Sequence, residues 1–423
     1  MMQVLIVNTS ELTGGAAVAA NRLKDALNNN GVTAKMLVRD RQTDDKDVIT
    51  IKKGWRTHWN LLWERWCIFW HLHFKKNNLF AIDIANAGTD ITKMEAFKAA
   101  DVIHLSWVNQ GMLSLGNIRK ILRSGKPVVW TMHDLWPASS ICHYAHGCDG
   151  FKMGCGNCPL LPKTKNDLSA RIYKRKENMY KGKNLSFVAC SEWLAGQARE
   201  SGLITDQSIT SIPNPIDSSF FCPNDKIEAK KQLNLPTDKR IILFVSQRVT
   251  DKRKGMEYFV EAISKLSEQY PEMKNTTEIA ILGGHAEELV GKLALKVNSL
   301  GYVNDPQKIR LVYSASDVFV LPSLEDNLPN TIMEALACGI PCVGFSVGGI
   351  PEMIEHTVNG YVAASQDATD LASGIHWVLE EADYQKLSGA AVEKVQACYS
   401  QKSVAERYIE VYEKALSNTH YAL

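Results

Sequence analysis

At 423 residues with 45% hydrophobic content, the chain is long enough for two domains, each with its own core. Its 48 basic and 46 acidic residues leave a formal net charge of +2, which argues against wholesale nucleic-acid binding. No apolar run approaches a membrane span, and Met1 to Val7 lacks the basic lead of a signal peptide. A soluble, cytosolic protein is expected, with the inner membrane face as a candidate contact, and its ten cysteines point to thiols or metal rather than a disulfide framework.

The chain opens with a strand (Gln3 to Val7), a polar loop containing Gly14-Gly15, an Ala-rich helix from about Ala16 to Leu27, and a second strand, Thr33 to Val38. This unit starts a doubly wound sheet, whose ligands bind at the carboxyl ends of the strands. The glycine pair allows close approach of a ligand, and a plain tight turn explains it as well.

Residues Gly54 to Phe80 differ from the rest. Trp55, Trp59, Trp63, Trp66 and Trp70 are spaced by four, four, three and four, so they form one stripe on a helix, flanked by Lys52, Lys53, Arg56, Lys75 and Lys76. Two readings stand: a helix lying on an anionic membrane surface, or a stripe packed onto the domain core.

Further strands run from Asp101 to Leu105 and from Lys126 to Thr131, and the second ends in His133-Asp134, at the ligand edge of such a sheet. His133 could donate to a substrate hydroxyl; equally, it could be a core histidine, with Asp134 capping the next turn. Cys142, Cys148, Cys155 and Cys158 follow, with reach for a structural zinc site and His143 and His146 as substitute ligands; free thiols or a redox pair are the alternative.

A basic helix (Leu168 to Lys181), a strand (Ser186 to Cys190) and a helix capped by Ser191 lead to Pro213-Asn-Pro215, which marks a linker. A second alternating pattern then begins: strand Ile241 to Val245, helix Met256 to Leu266, strand Glu278 to Leu282, helix Glu287 to Leu300, and strands at Val318 and Pro341. Its first loop, Ser246 to Gly255, carries Arg248, Lys252, Arg253 and Lys254, side chains suited to a diphosphate. The loop after Leu321 holds Asp326, and a helix opening near Thr331 holds Glu334. Carboxylates beside a helix start suit hydroxyls of a ribose or sugar, whereas Thr331 and Glu334 also fit a capping box.

Together these residues resemble the family-4 (group 1) retaining glycosyltransferases of the GT-B fold, polysaccharide-assembly type. The resemblance covers nearly the whole chain. It rests on Gly14-Gly15, His133-Asp134, Ser191-Glu-Trp, Pro213-Asn-Pro-Ile-Asp217, Arg248 with Lys254-Gly255, Pro322-Ser323, Glu334-Ala-Leu-Ala-Cys-Gly-Ile-Pro341 and Gly348-Gly-Ile-Pro-Glu352.

The resemblance implies an α/β protein with two Rossmann-like domains facing across a cleft, 1–214 on the acceptor side and 215–401 binding the nucleotide sugar. It also implies a terminal helix, 402–423, crossing back onto the first domain, whereas the cysteine-rich loop at 137–162 departs from the general family pattern and resembles an insertion of some bacterial polysaccharide-assembly members. By the same resemblance Arg248 and Lys254 hold the donor diphosphate, Glu334 the ribose, and the backbone at Asn330 and Thr331 the phosphates. His133 lies near the transferred sugar and Gly15 near the diphosphate. Asp326 stands where the family usually has a glutamate on the donor sugar, shorter by one methylene. The implied reaction moves a sugar from a nucleotide-diphosphate donor to a hydroxyl of a glycan or lipid-linked glycan, with retention and no catalytic cofactor. A sugar-nucleotide epimerase and a non-catalytic subunit are the alternative classes.

Overall fold

The computed structural model describes residues 1–51, 54–163, 167–183, 185–248, 251–289 and 291–420. The chain divides into two compact units, one of residues 1–215 with 404–423 and one of residues 216–403.

Among the described residues, thirteen strands build two parallel sheets. The first unit contains β1 (Gln3–Ser10), β2 (Thr33–Asp40), β3 (Val48–Thr50), β4 (Val102–Leu105), β5 (Val128–Met132), β6 (Leu185–Ala189) and β7 (Ser208–Ser211), in the order β3-β2-β1-β4-β5-β6-β7. The second contains β8 (Arg240–Arg248), β9 (Thr277–Gly284), β10 (Val297–Gly301), β11 (Val318–Leu321), β12 (Cys342–Phe345) and β13 (Gly360–Ala363), in the order β10-β9-β8-β11-β12-β13. In each sheet the strand order reverses once, between β1 and β4 and between β8 and β11. A crevice opens at such a reversal, beyond the carboxyl ends of the strands, and ligands bind there in open α/β sheets.

Helices cover both faces of the first sheet, which explains why β1 is buried along its length after Gln3. Val4 and Ile6 face the helices Gly15–Asn28 and Gln401–His420, while Leu5 and Val7 face the larger core on the opposite side. The helix Gln401–His420 is fixed by a buried polar chain. Tyr412 Oη lies 2.6 Å from His104 Nδ1, and Thr131 Oγ1 lies 2.9 Å from both His104 Nε2 and Tyr408 Oη.

Two expectations need correction. The helix expected from Glu287 to Leu300 is a short 3-10 turn (Ala286–Leu289) followed by the edge strand β10. Gly291, at φ +84°, interrupts the helical spacing, and the edge of β9 recruits Val297 onward into the sheet. The second correction concerns the tryptophans, which do not pack on the core. On the helix Trp55–His71 the buried side carries Glu64, Arg65 and Ile68, and all five tryptophans are exposed.

Candidate functional site

In the second unit the residues singled out by sequence gather at the reversal between β8 and β11. After β8, Asp251 caps a 3-10 turn, Lys252–Lys254, by accepting from the Arg253 amide, and Gly255 then takes a left-handed turn at φ +69°. A Cβ at Gly255 would lie 1.8 Å from the Pro322 carbonyl oxygen, so only glycine lets this loop press against the one after β11. The two loops are joined by the Leu324 N–H donating to the Arg253 carbonyl (2.8 Å) and by the Arg253 guanidinium donating to the Glu325 carbonyl (3.1 Å).

That close fit brings Lys254 Nζ to 2.6 Å from Asp326 Oδ2, which also accepts from Ser323 Oγ at 3.2 Å. Burial pushes the Asp326 carboxyl up, but Lys254, Arg253 and the hydrogen bonds reverse this, so it is held below its ordinary value. The turn at Gly348 closes over the Asp326 backbone, where a Cβ would meet the Asp326 carbonyl oxygen at 1.7 Å. Asp326 is thus fixed by charge and backbone together. Lys254, bonded once here, keeps further ammonium donors for a phosphate.

The helix Asn330–Ala337 follows, with Pro329 as its N-cap. Thr331 is therefore the second helical residue rather than the cap of a capping box, because the helix starts earlier than its sequence suggests. Glu334 is buried, and its Oε2 accepts from the buried Tyr313 hydroxyl at 3.0 Å. Sequence reasoning missed Tyr313: it ends an ordinary amphipathic helix, Pro306–Ser314, with no motif around it. The backbone of Arg248 ends β8, and its side chain lies outside the described residues.

In the first unit, Gly15 opens the helix after β1, with Gly14 at φ +91° as its N-cap. His133 follows β5, its Nε2 2.9 Å from Ser106 Oγ and its Nδ1 3.4 Å from Cys190 Sγ. Burial pushes the His133 ring down to about 4, with Asp134 acting in the opposite direction. Asp134 does more than cap a turn. It accepts from the Trp136 amide (2.9 Å), the Trp107 indole (3.0 Å) and His143 Nδ1 (2.7 Å), and His143 Nε2 lies 2.7 Å from Asp83 Oδ2. Asp83 in turn pairs with Arg65 on the tryptophan helix. His143 is therefore held between two carboxylates and is not a substitute zinc ligand. Neither Asp83 nor Arg65 had any distinguishing spacing in the sequence.

All ten cysteines are thiols. Cys142, Cys148, Cys155 and Cys158 line one cavity of about 20 Å³, and the Gly150 amide donates to Cys148 Sγ at 3.4 Å. The donor set suits zinc, although among the described residues no three His, Cys, Asp or Glu side chains are drawn together closely enough to hold a metal ion.

Two doubly wound parallel sheets with a basic and acidic cluster at one strand reversal define the GT-B glycosyltransferase class. Residues 13–220 match the family model "Glycosyltransferase Family 4" and residues 239–381 the model "Glycosyl transferases group 1". The chain belongs to this glycosyltransferase family. It is 30% identical over 195 residues to an uncharacterized glycosyltransferase of Methanocaldococcus jannaschii, covering 45% of this chain and 49% of that protein. The chain thus spans about half the length of the curated relatives it matches. Among solved structures, sucrose-phosphate synthase of Thermosynechococcus elongatus superposes with a TM-score of 0.69 at 20% identity, over 99% of this chain and 100% of that one. HepE of Anabaena in complex with UDP-glucose gives a TM-score of 0.58 at 16% identity, over 100% of both chains.

Proposed function

We propose that the chain transfers a sugar from a nucleotide-diphosphate donor to a hydroxyl of a lipid-linked glycan, with retention, at the cytoplasmic face of the membrane during bacterial surface polysaccharide synthesis. The observation that carries the donor half is the Lys254–Asp326 pair, which spans the strand reversal beside the start of the helix Asn330–Ala337. Lys254 and the N–H groups of that helix start stabilise charge on the departing diphosphate, and Glu334 accepts from the ribose. Asp326 orients Lys254 and faces the donor sugar. Neutral His133 contacts the transferred sugar, and Gly15 leaves room for the diphosphate. No protein nucleophile is assigned, so the leaving phosphate takes the acceptor proton.

HepE binds UDP-glucose, and since it shares only the fold with this chain, UDP-glucose is simply the first donor to test. The deciding experiment supplies a panel of nucleotide sugars with and without lipid-linked acceptors, and reads nucleotide release and the anomeric configuration of the product. Release only with acceptor, and a product of retained configuration, is the expected result. Acceptor-independent turnover would assign the site to an epimerase instead.

We also propose that Cys142, Cys148, Cys155 and Cys158 hold a structural zinc. Their shared cavity and the amide donated to Cys148 Sγ support it, and a bound zinc would cross-link the loop through the four sulfurs.

A further inference from the structure

The helix Trp55–His71 is built inside out. Its charged pair, Glu64 and Arg65, points inward, where Glu64 Oε1 accepts from the amides of Ile84 (3.0 Å) and Ala85 (2.6 Å), and Arg65 donates to the Leu79 carbonyl (2.6 Å). Its five tryptophans point outward, each 51–71% exposed. Monomeric soluble domains seldom leave so continuous an apolar face in water.

The aromatic face continues past the helix end through an unusual turn. His73 and Phe74 both adopt left-handed backbone, at φ 51° and 62°, a conformation that bulky residues avoid. The Phe74 amide donates to the Phe69 carbonyl at 2.9 Å and the His73 amide to the Trp70 carbonyl at 3.1 Å, which closes the helix as a Schellman motif. The turn swings Phe74 back onto the stripe, its ring centroid 5.2 Å from Trp70 and 5.4 Å from Phe69. The chain thus adopts an unfavourable backbone to extend a surface that packing within the unit does not use.

Charge indicates what covers this surface. Between Gly54 and Asn78 the single acidic residue is Glu64, which is buried, whereas Lys75 and Lys76 are exposed beside Phe74. Lys52 and Lys53 lie outside the described residues, and so does the Arg56 side chain. A second copy of this stripe would bring the same cations, with no exposed carboxylate to receive them. An anionic lipid surface supplies the missing charge, and indole rings favour the depth of the headgroups.

We propose that the stripe Trp55, Trp59, Trp63, Trp66, Trp70 with Phe74 docks the protein on a bilayer containing anionic lipid, the helix lying flat over about 25 Å. A cavity of about 500 Å³, lined by Arg39, Asp40, Gly54, Thr57, His58 and Leu61, opens between the carboxyl end of β2 and the first turn of this helix. Docking places that cavity at the lipid surface, where it is the entry for a membrane-borne acceptor. That last step rests on the transferase reading; the docking does not.

Flotation of the full chain with vesicles of phosphatidylcholine containing phosphatidylglycerol, against phosphatidylcholine alone, tests it. The expected result is flotation with the anionic vesicles, weakened by salt, and reduced by about tenfold or more in a Trp59→Ser, Trp63→Ser, Trp66→Ser variant of unchanged melting temperature. If that variant misfolds, the exposed Lys75→Glu, Lys76→Glu pair carries the test, with a selective loss on anionic vesicles expected. No flotation, equal flotation of the variants, or a dimer that the tryptophan substitutions disperse would overturn the proposal. UDP binding by calorimetry on the same variants is expected to be unchanged, which separates a failure of docking from a failure of the donor site.

Discussion

Lys254 Nζ lies 2.6 Å from Asp326 Oδ2, and this contact joins the two strands between which the second sheet reverses its order. Lys254→Ala removes one partner of a largely buried pair. A loss of about 3 kcal/mol is expected, at the low end for such pairs because Lys254 keeps some contact with solvent, together with a fall in kcat of about 100-fold or more. Lys254→Arg restores most of the stability and less of the turnover. Urea denaturation and acceptor-dependent donor turnover measure the two effects separately, and a folded alanine variant with near-normal kcat would remove Lys254 from the site.

Tyr313→Phe deletes a buried hydroxyl that donates to Glu334 Oε2 without touching the donor itself. The hydrogen bond to a carboxylate contributes about 1.5–3 kcal/mol to stability. In the proposed site its loss loosens one of the contacts that position Glu334, so KM for the donor rises while kcat changes little, the signature of binding shared by ground and transition states. A fall in kcat with KM unchanged would give Tyr313 a different role.

Two histidines of the first unit set a pH dependence. Burial lowers His133 to about 4 and His104 to about 3, against roughly 6.5 for an unfolded histidine. Since the folded values are the lower ones, the unfolded chain takes up these protons first. The associated stability is complete above about pH 6.5 and is lost progressively as pH falls, down to about 4 for His133 and about 3 for His104. Denaturation midpoints across this range test the slope. Ring NMR signals of His133 are expected to stay those of a neutral imidazole down to about pH 5.

Metal content tests the cysteine site. Protein purified under reducing conditions is expected to carry about one zinc per chain, and a chelator or Cys155→Ser is expected to lower the melting temperature. Less than half an equivalent, with no thermal response to chelator, would leave the four cysteines as ordinary thiols.

His143→Ala leaves Asp134 and Asp83 facing each other across a buried gap, each without the ring nitrogen it bonds, while Arg65 still pairs with Asp83. A destabilisation of about 3 kcal/mol is expected from leaving buried carboxylate oxygens without a hydrogen-bond partner. His143→Gln, which can donate to only one carboxylate, falls between. Thermal denaturation of the two variants gives the order.

What was legible in the sequence was whatever local chemistry repeats. Parallel strands buried on both faces read as continuous apolar runs, so β1, β4, β5 and β11 were plain. The short edge strands β3, β7 and β13 were not, because three or four residues supported by a single neighbour carry little pattern of their own. Lys254, Asp326 and Glu334 stood out through the charge and turn residues around them. Tyr313, Asp83 and Arg65 did not, because their partners lie 21, 60 and 18 residues away and only the fold brings them together. The tryptophan spacing established the stripe but not its direction: a stripe facing inward and one facing outward have the same periodicity.

The helix Gln401–His420 has a consequence for how the protein is made. Tyr408 and Tyr412 complete a layer begun by Val4 and Ile6, nearly the full length of the chain earlier. During synthesis the first sheet must wait, one face only partly covered by the helix Gly15–Asn28 and the His104 and Thr131 side chains without their phenolic partners, until the second unit has left the ribosome. The first unit is therefore the last to be finished, and residues 1–215 expressed alone are expected to aggregate, whereas residues 216–403 enclose a core entirely of their own.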